Sequence, residues 1–460
     1  MLDTLQPNIL KGHTRDFLSL LFLKFTDAGE GREFLSKLEP LMKSASQHLA
    51  EIDAFKKSKV PGTPYVGVGL TAAGYAKLEV TDVPADQSFR NGMQGNPKLN
   101  DPPVEQWDEA FRVKADLHAC VLIGDMAMEP KAATHDKVSA LLKAAPSVVV
   151  LGTQDGTGLH NSNGDGIEHF GYVDGRSQPL FLASDIENEM HSTDGTSIWN
   201  PAFAIGRAIV PEPAPEGAGE HFGSYFIFRK LEQDVQAFKI AESKFAKDLG
   251  LEDPDRAGAL LVGRFEDGTP VTTQAAEGAH SPVLNNFDYS SDVVAGKCPF
   301  LGHIRKTNPR GTGGFEDHDK ERMHIMARRG QTYGVRADNP NDGETANKPT
   351  GNVGLLFMAF NSDIGEQFEF TQIAWANGAG FPRVPTGTPA PGVDPLIGQT
   401  AGDGPRPKMS VPTKWGDAAS MKTVDAVPRT VTMKGGEYFF MPSLSFMRRI
   451  GQAGVTPAPA

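Results

Sequence analysis

Two cysteines, Cys120 and Cys298, are all that 460 residues carry. They lie far apart and form no metal-binding pair, which excludes a disulfide scaffold. Cys120 sits in the apolar run Ala119-Cys120-Val121-Leu122 and reads as a small buried hydrophobe. Long apolar runs are missing too: no stretch reaches the roughly 18 residues that a membrane-spanning helix needs. The first residues, Met1 to Gln6, lack a cationic segment followed by an apolar one. No secretory signal is read there, and a cytoplasmic or leaderless protein is expected. Positive charge is in deficit, since 45 Lys and Arg against 57 Asp and Glu leave a net charge of −12. Nucleic acid is therefore disfavoured as a partner, because its binding relies on cations that neutralise phosphates. What is present is ordinary for a folded soluble protein, with 39% hydrophobic and 22% charged residues. The length allows two or three domains and a large buried core.

Periodicity and turn signals predict an α+β chain. Strand-like runs occur at Phe17–Phe25, Tyr65–Leu70, Leu117–Ile123 and Val148–Leu151. Helical spacing runs through residues 30–55, broken at Pro40, and again from Pro130 to Ala145. Without the irregular insertion before Leu117, the order is β-α-β-β-α-β, the ferredoxin-like pattern. The second half repeats it: strands at Ser224–Phe228, residues 324–329, Gly354–Phe360 and Tyr438–Met441, helices at Gln233–Leu249 and Ile364–Trp375. Two ferredoxin-like halves are expected, 1–205 and 206–460, with a linker at Pro211-Glu212-Pro213-Ala214-Pro215-Glu216-Gly217. Residues 376–432 read as a long loop-rich insertion, and the tail 455–460 as frayed.

Chemistry concentrates first at Glu168-His169-Phe170-Gly171-Tyr172-Val173-Asp174-Gly175-Arg176-Ser177-Gln178-Pro179. One acid, Asp174, stands inside a glycine-flanked turn, where close approaches open to few other residues are allowed. Alone, it reads as a surface turn. A second stretch runs Lys297-Cys298-Pro299-Phe300-Leu301-Gly302-His303-Ile304-Arg305-Lys306-Thr307-Asn308-Pro309-Arg310, in which one of 12 histidines precedes three cations. The first stretch resembles the distal-side signature of the dye-decolourising peroxidases, a family of haem enzymes, and the second is similar to the family's proximal-histidine motif. Asn8-Ile9-Leu10-Lys11-Gly12 and the segment from Val262 to Val271 are also similar to the longer members.

The resemblance implies a set of roles. His303 is expected to ligate haem iron, with Arg310 on a haem propionate. Asp394, in Gly392-Val393-Asp394-Pro395, looks like the acid that orients the ligand's other ring nitrogen. Arg328 or Arg329, on opposite faces of a strand, supplies a distal arginine, and matching Tyr333-Gly334 to the family's aromatic-Gly favours Arg328. Leu355 and Phe357 share a strand face. They read as core, and the resemblance adds a role capping the haem. Tyr333 and Trp375, otherwise packing residues, become candidates for relaying electrons to bulky donors. The acidic run Glu316-Asp317-His318-Asp319, with Glu321 and His324, reads as a solvated face, and no manganese site is located.

The implied protein carries one haem b per chain. It uses hydrogen peroxide to oxidise dyes and phenolics in one-electron steps through a ferryl intermediate. Asp174 serves as proton shuttle and Arg328 as electrostatic stabiliser. An ordinary aspartate titrates near 3.9, so dye oxidation is expected to be fastest in acid. Two alternatives remain: a haem-handling protein for storage, transport or iron release, and a haem-degrading or chlorite-degrading enzyme on a related scaffold. Rapid reaction with peroxide that depends on Asp174 or Arg328 separates the first of these from a peroxidase.

Overall fold

A computed structural model describes residues 1–191, 198–213, 220–278, 284–340, 342–400 and 405–452. Residues 214–217 of the expected linker and the tail 455–460 lie outside them. Strand β1 (Phe17–Phe25) leads into helix α1 (Ala28–Leu38), which Asp27 caps by accepting from the Glu30 N–H. The break at Pro40 is a 3-10 turn over Glu39–Leu41. Helix α2 (Ala45–Ser58) then starts at a Ser44/Gln47 capping box, which satisfies two otherwise orphaned donors. Strands β2 (Tyr65–Leu70), β3 (Ala119–Asp125) and β4 (Val148–Thr157) follow, with helix α3 (Met128–Lys143) before the last.

The second half supplies β5 (Phe222–Gln233), helix α4 (Val235–Leu249), helix α5 (Pro254–Val262) and the short helix α6 (His303–Thr307). Strands β6 (Gln331–Tyr333), β7 (Gly354–Asn361) and β8 (Val431–Met441) complete it. The expected strand at 324–329 shrinks to the two-residue pairing Ala327–Arg328 beside β7. The helix expected over Ile364–Trp375 is π-type over Gly365–Glu369 and Thr371–Ala376. Insertion 376–432 holds a small hairpin, Met409–Pro412 with Met421–Val424.

Each half shows the ferredoxin-like order: β2-β3-β1-β4 in the first, β8-β5-β7-β6 in the second. All ladders are antiparallel, and the two four-stranded sheets close edge to edge into one ring. The seams are slight. Tyr333 opposite Gly156 joins β6 to β4, and Phe440 opposite Leu70 joins β8 to β2. Closure leaves no long edge unpaired. Aromatic rings from both halves fill the interior: Phe22 meets Phe228 at 4.9 Å between centroids, and Phe226 meets Phe439 at 6.2 Å. Strand alternation then decides what faces outward. In β7, Leu356, Met358 and Phe360 enter this core, while Leu355 and Phe357 project from the other face. Among the described residues no helix is long and apolar enough to cross a membrane.

Candidate functional site

The outward face of β5 and β7 forms one wall of a cavity with about 1700 Å³ of empty space, open solvent at its mouth included. Leu355 stands opposite Leu231, and Phe357 opposite Arg229, so the wall is a cross-strand set. Helices α5 and α6, the segment Glu168–Ser177, and residues from 324–328, 368–372 and 396–399 line the rest.

That segment is fixed on both sides of Asp174. Glu168 is half-buried and accepts from the N–H groups of Phe170 and Tyr172 at 2.9 and 3.0 Å. The Val173 N–H donates to the Glu266 carbonyl, and the Asp174 N–H to the Gly166 carbonyl. Gly171 and Gly175 have φ of 104° and 80°, a region that resists other residues. The Asp174 carboxylate is thereby held at the cavity, accepting from the Gly175 N–H at 2.6 Å.

Arg328 meets it there. Its Nη1 lies 3.4 Å from Asp174 Oδ1, and its Nη2 donates to the Arg176 carbonyl at 2.7 Å. The Arg328 N–H is tied to the Gln178 side chain at 3.0 Å. Arg329 points the other way and donates to the carbonyls of Asn8 and Ile9 at 2.7 and 2.8 Å. The Asn8–Gly12 segment thus anchors the strand that presents Arg328.

His303, the first residue of α6, lines the cavity. Its Nδ1 pairs with Asp394 Oδ2 at 2.8 Å. The other Asp394 oxygen accepts from the N–H groups of Leu396 and Ile397 at 2.8 and 3.0 Å, and the carboxylate is wholly buried. Burial works against charge on His303, yet the facing Asp394 raises it above the usual histidine value. Burial likewise opposes charge on Asp394, but His303 and the two N–H groups hold it below the usual aspartate value. Nδ1 is committed, so Nε2 is the nitrogen left to the cavity.

The structure therefore brings Asp174, Arg328, His303, Leu355 and Phe357 to one cavity, with Asp394 directly behind His303. Arg310 also lines it, but its donors are already engaged: by the carbonyls of Asn285 and Phe287, the Asn285 side chain and Ser177 Oγ. Its role as an anion contact is thus reduced to what it can share. Tyr333 and Trp375 are both buried and do not line the cavity. Trp375 packs edge-on to His324 at 5.2 Å, and His324 does line it. The acidic run is not wholly a solvated face. His324 is fully buried with Nε2 2.8 Å from Glu316, and buried Glu321 accepts from the N–H groups of Gly311 and Gly313. Among the described residues no group of three or more His, Cys, Asp or Glu could hold a metal ion.

Sequence reasoning missed Arg264, although it lies in the Val262–Val271 segment. It lines the cavity, and burial lowers it to about 9. Tyr172 was also missed, inside the first motif. It lines the cavity and donates to Glu242 at 2.6 Å, beside Lys239. Burial pushes Glu242 up to about 7, against the pull of Lys239 and the Tyr172 hydroxyl. The native state therefore keeps a proton that the unfolded chain releases near its ordinary 4.5. Stability from this group is present at low pH and lost as pH rises from 4.5 to about 7. Glu242→Gln still partners Tyr172 but cannot ionise, so it should flatten the fall in melting temperature across that window. Parallel curves for the two proteins would remove Glu242 as the source.

Comparison with known proteins gives consistent relatives. The model of the DyP dimeric alpha+beta barrel domain matches residues 4–156. The chain is 55% identical to the multifunctional dye peroxidase DyP2 of Amycolatopsis sp., over 98% of this chain and 96% of that protein. It is 30% identical to the dye-decolorizing peroxidase msp1 of Mycetinis scorodonius, over 98% of this chain and 87% of that one. The solved structure of the Amycolatopsis protein superposes with a TM-score of 0.93, covering 97% of this chain and 96% of that one. A DyP-type peroxidase from Anabaena sp., 35% identical, gives 0.88 over 98% and 94%.

Proposed function

The chain belongs to the dye-decolourising peroxidases, and from that premise we propose that its cavity seats one haem b with His303 as the axial ligand to iron. It is a haem peroxidase, and its substrates are hydrogen peroxide and organic electron donors. The residues fit the cofactor: an imidazole whose Nε2 is left to the slot, an acid–arginine pair in the same slot, and two buried cations, Arg264 and Arg310, in its lining. The observation that carries the reading is the His303–Asp394 pair at 2.8 Å in the same cavity as the Asp174–Arg328 pair. A storage or transport protein would need the first pair but not the second.

When bound, haem supplies the cleavage of the O–O bond and the two electrons that donors later restore. The protein's own groups manage protons and charge. The Asp174 carboxylate takes a proton from peroxide and returns it to the departing oxygen, so that water leaves. Arg328 holds its N–H groups toward the charge that develops as the bond breaks. Asp394 keeps the Nδ1 proton of His303 in place, which orients Nε2 and raises its basicity. Leu355 and Phe357 give the cavity an apolar wall that would exclude water from the bound group. Rapid mixing of the haem-loaded protein with peroxide tests the reading: the Soret band should shift within the mixing experiment and recover on adding dye. A band that does not move would overturn it.

Dyes and phenolics are the donor class. Tyr333 and Trp375 are buried, so they can act only as inner steps of a relay to such donors. Tyr333 supports this role modestly, with Lys230 5.0 Å above its ring and a hydroxyl that makes no hydrogen bond. Tyr333→Phe should slow oxidation of a bulky dye and leave the peroxide step unchanged. Equal dye rates for both proteins would exclude it.

A further inference from the structure

Asp394 lies in no helix or strand, yet its carboxylate is wholly buried and must meet His303 Nδ1 at one angle. Something has to hold the turn from Asp394 to Gly398. Its backbone contributes two bonds: the Asp394 N–H donates to the Ala376 carbonyl, and the Gly398 N–H to the Asp394 carbonyl. The turn has no slack at Gly398, where a Cβ would stand 2.5 Å from the Asp394 carbonyl oxygen. Two side chains from outside add to this: Gln372 Nε2 donates to the Ile397 carbonyl at 3.0 Å, and Arg406 reaches the carbonyls on either side of it. Arg406 Nη2 donates to the Asp394 carbonyl at 2.5 Å and lies 3.3 Å from that of Gly398. Its Nη1 donates to the Pro395 carbonyl at 3.1 Å and reaches Val427 at 3.5 Å. One planar fork thus spans the turn and ties it to the chain leading into β8. A lysine carries the same charge but not that geometry.

We propose that Arg406 is a positioning residue for the proximal pair, holding Asp394 so that His303 keeps the basicity and orientation of an axial ligand. It touches neither the cofactor nor a substrate. Its effect passes through Asp394, as outer-shell groups act on metal ligands generally. A buried carboxylate that loses its fixed geometry leaves the imidazole N–H less well partnered, and electron donation through Nε2 falls. The inference rests on His303 being the ligand.

The test is resonance Raman of the ferrous haem-loaded protein, with the iron reduction potential measured on the same samples. Arg406→Met and Arg406→Lys should bind haem, lower the iron–imidazole stretching frequency in the same direction as Asp394→Asn, and raise the potential. The rate with peroxide should fall by about tenfold, with KM for a dye unmoved. Arg429→Met, in the same surface cleft, should match the unaltered protein. An unmoved band in both Arg406 variants would overturn the proposal. So would a band moved by Met but not by Lys, which would assign the effect to charge. Should the Met variant fail to fold, the Lys variant alone decides by the position of its band. His303→Ala separates the two readings. A band that survives His303→Ala refutes the ligand. A band lost there but unmoved in the Arg406 variants refutes only Arg406.

Discussion

Asp174→Asn should yield a protein that still takes up haem but reacts with peroxide slower by about two to four orders of magnitude, the usual worth of a positioned acid–base group. The amide has nearly the shape of the carboxylate and can still meet Arg328, but it cannot accept the proton. Stopped-flow mixing with peroxide, at matched haem content, reads the loss directly. Arg328→Leu should cost about 10²–10³ in the same step, because it removes a preorganised donor and leaves the base. The two groups are 3.4 Å apart and act on one bond cleavage, so the double variant should fall well short of the sum of the single effects. An Asp174→Asn protein that reacts at the unaltered rate would assign the proton transfer elsewhere.

The second large effect is expected on the opposite side of the cavity. His303→Ala removes the nitrogen ligand and should abolish the iron–imidazole signal and most haem retention, with added imidazole restoring the signal in part. Asp394→Asn is the graded companion. It keeps the ligand but turns an acceptor of the Nδ1 proton into a weaker one, at a cost of about 10–100-fold in haem affinity or peroxide rate. Gel filtration followed by the haem spectrum separates the two outcomes. Full haem retention with an unchanged spectrum in His303→Ala would exclude His303 as the ligand.

What was legible in the sequence follows from how local each cause is. Asp174 and His303 sit in compact stretches that carry the family resemblance, and it is the resemblance that singles them out, since Asp174 alone reads as a surface turn. β7 was legible because Gly354-Leu355-Leu356-Phe357-Met358-Ala359-Phe360 must be buried wherever it lies, and alternation then assigns its faces. The choice between Arg328 and Arg329 depended on which way a two-residue pairing turns. The backbone carbonyls of Asn8 and Ile9, more than 300 positions away in the chain, settle that. Arg310 reaches the cavity as expected of a cation near His303, but its hydrogen-bond partners come from Asn285, Phe287 and Ser177, which no local pattern announces. Tyr172 with Glu242 and Arg406 with Asp394 are of the same kind: each is a contact made by the fold alone.

The distances along the chain carry a consequence for synthesis. Asp174 and Arg328 are 154 residues apart, and His303 and Asp394 are 91 apart. Val431, at the start of β8, still belongs to the cavity wall. The ring and the slot are therefore incomplete until β8 has paired with β2 and β5. Cofactor capture in the proposed site thus waits on β8, the last of these strands in chain order.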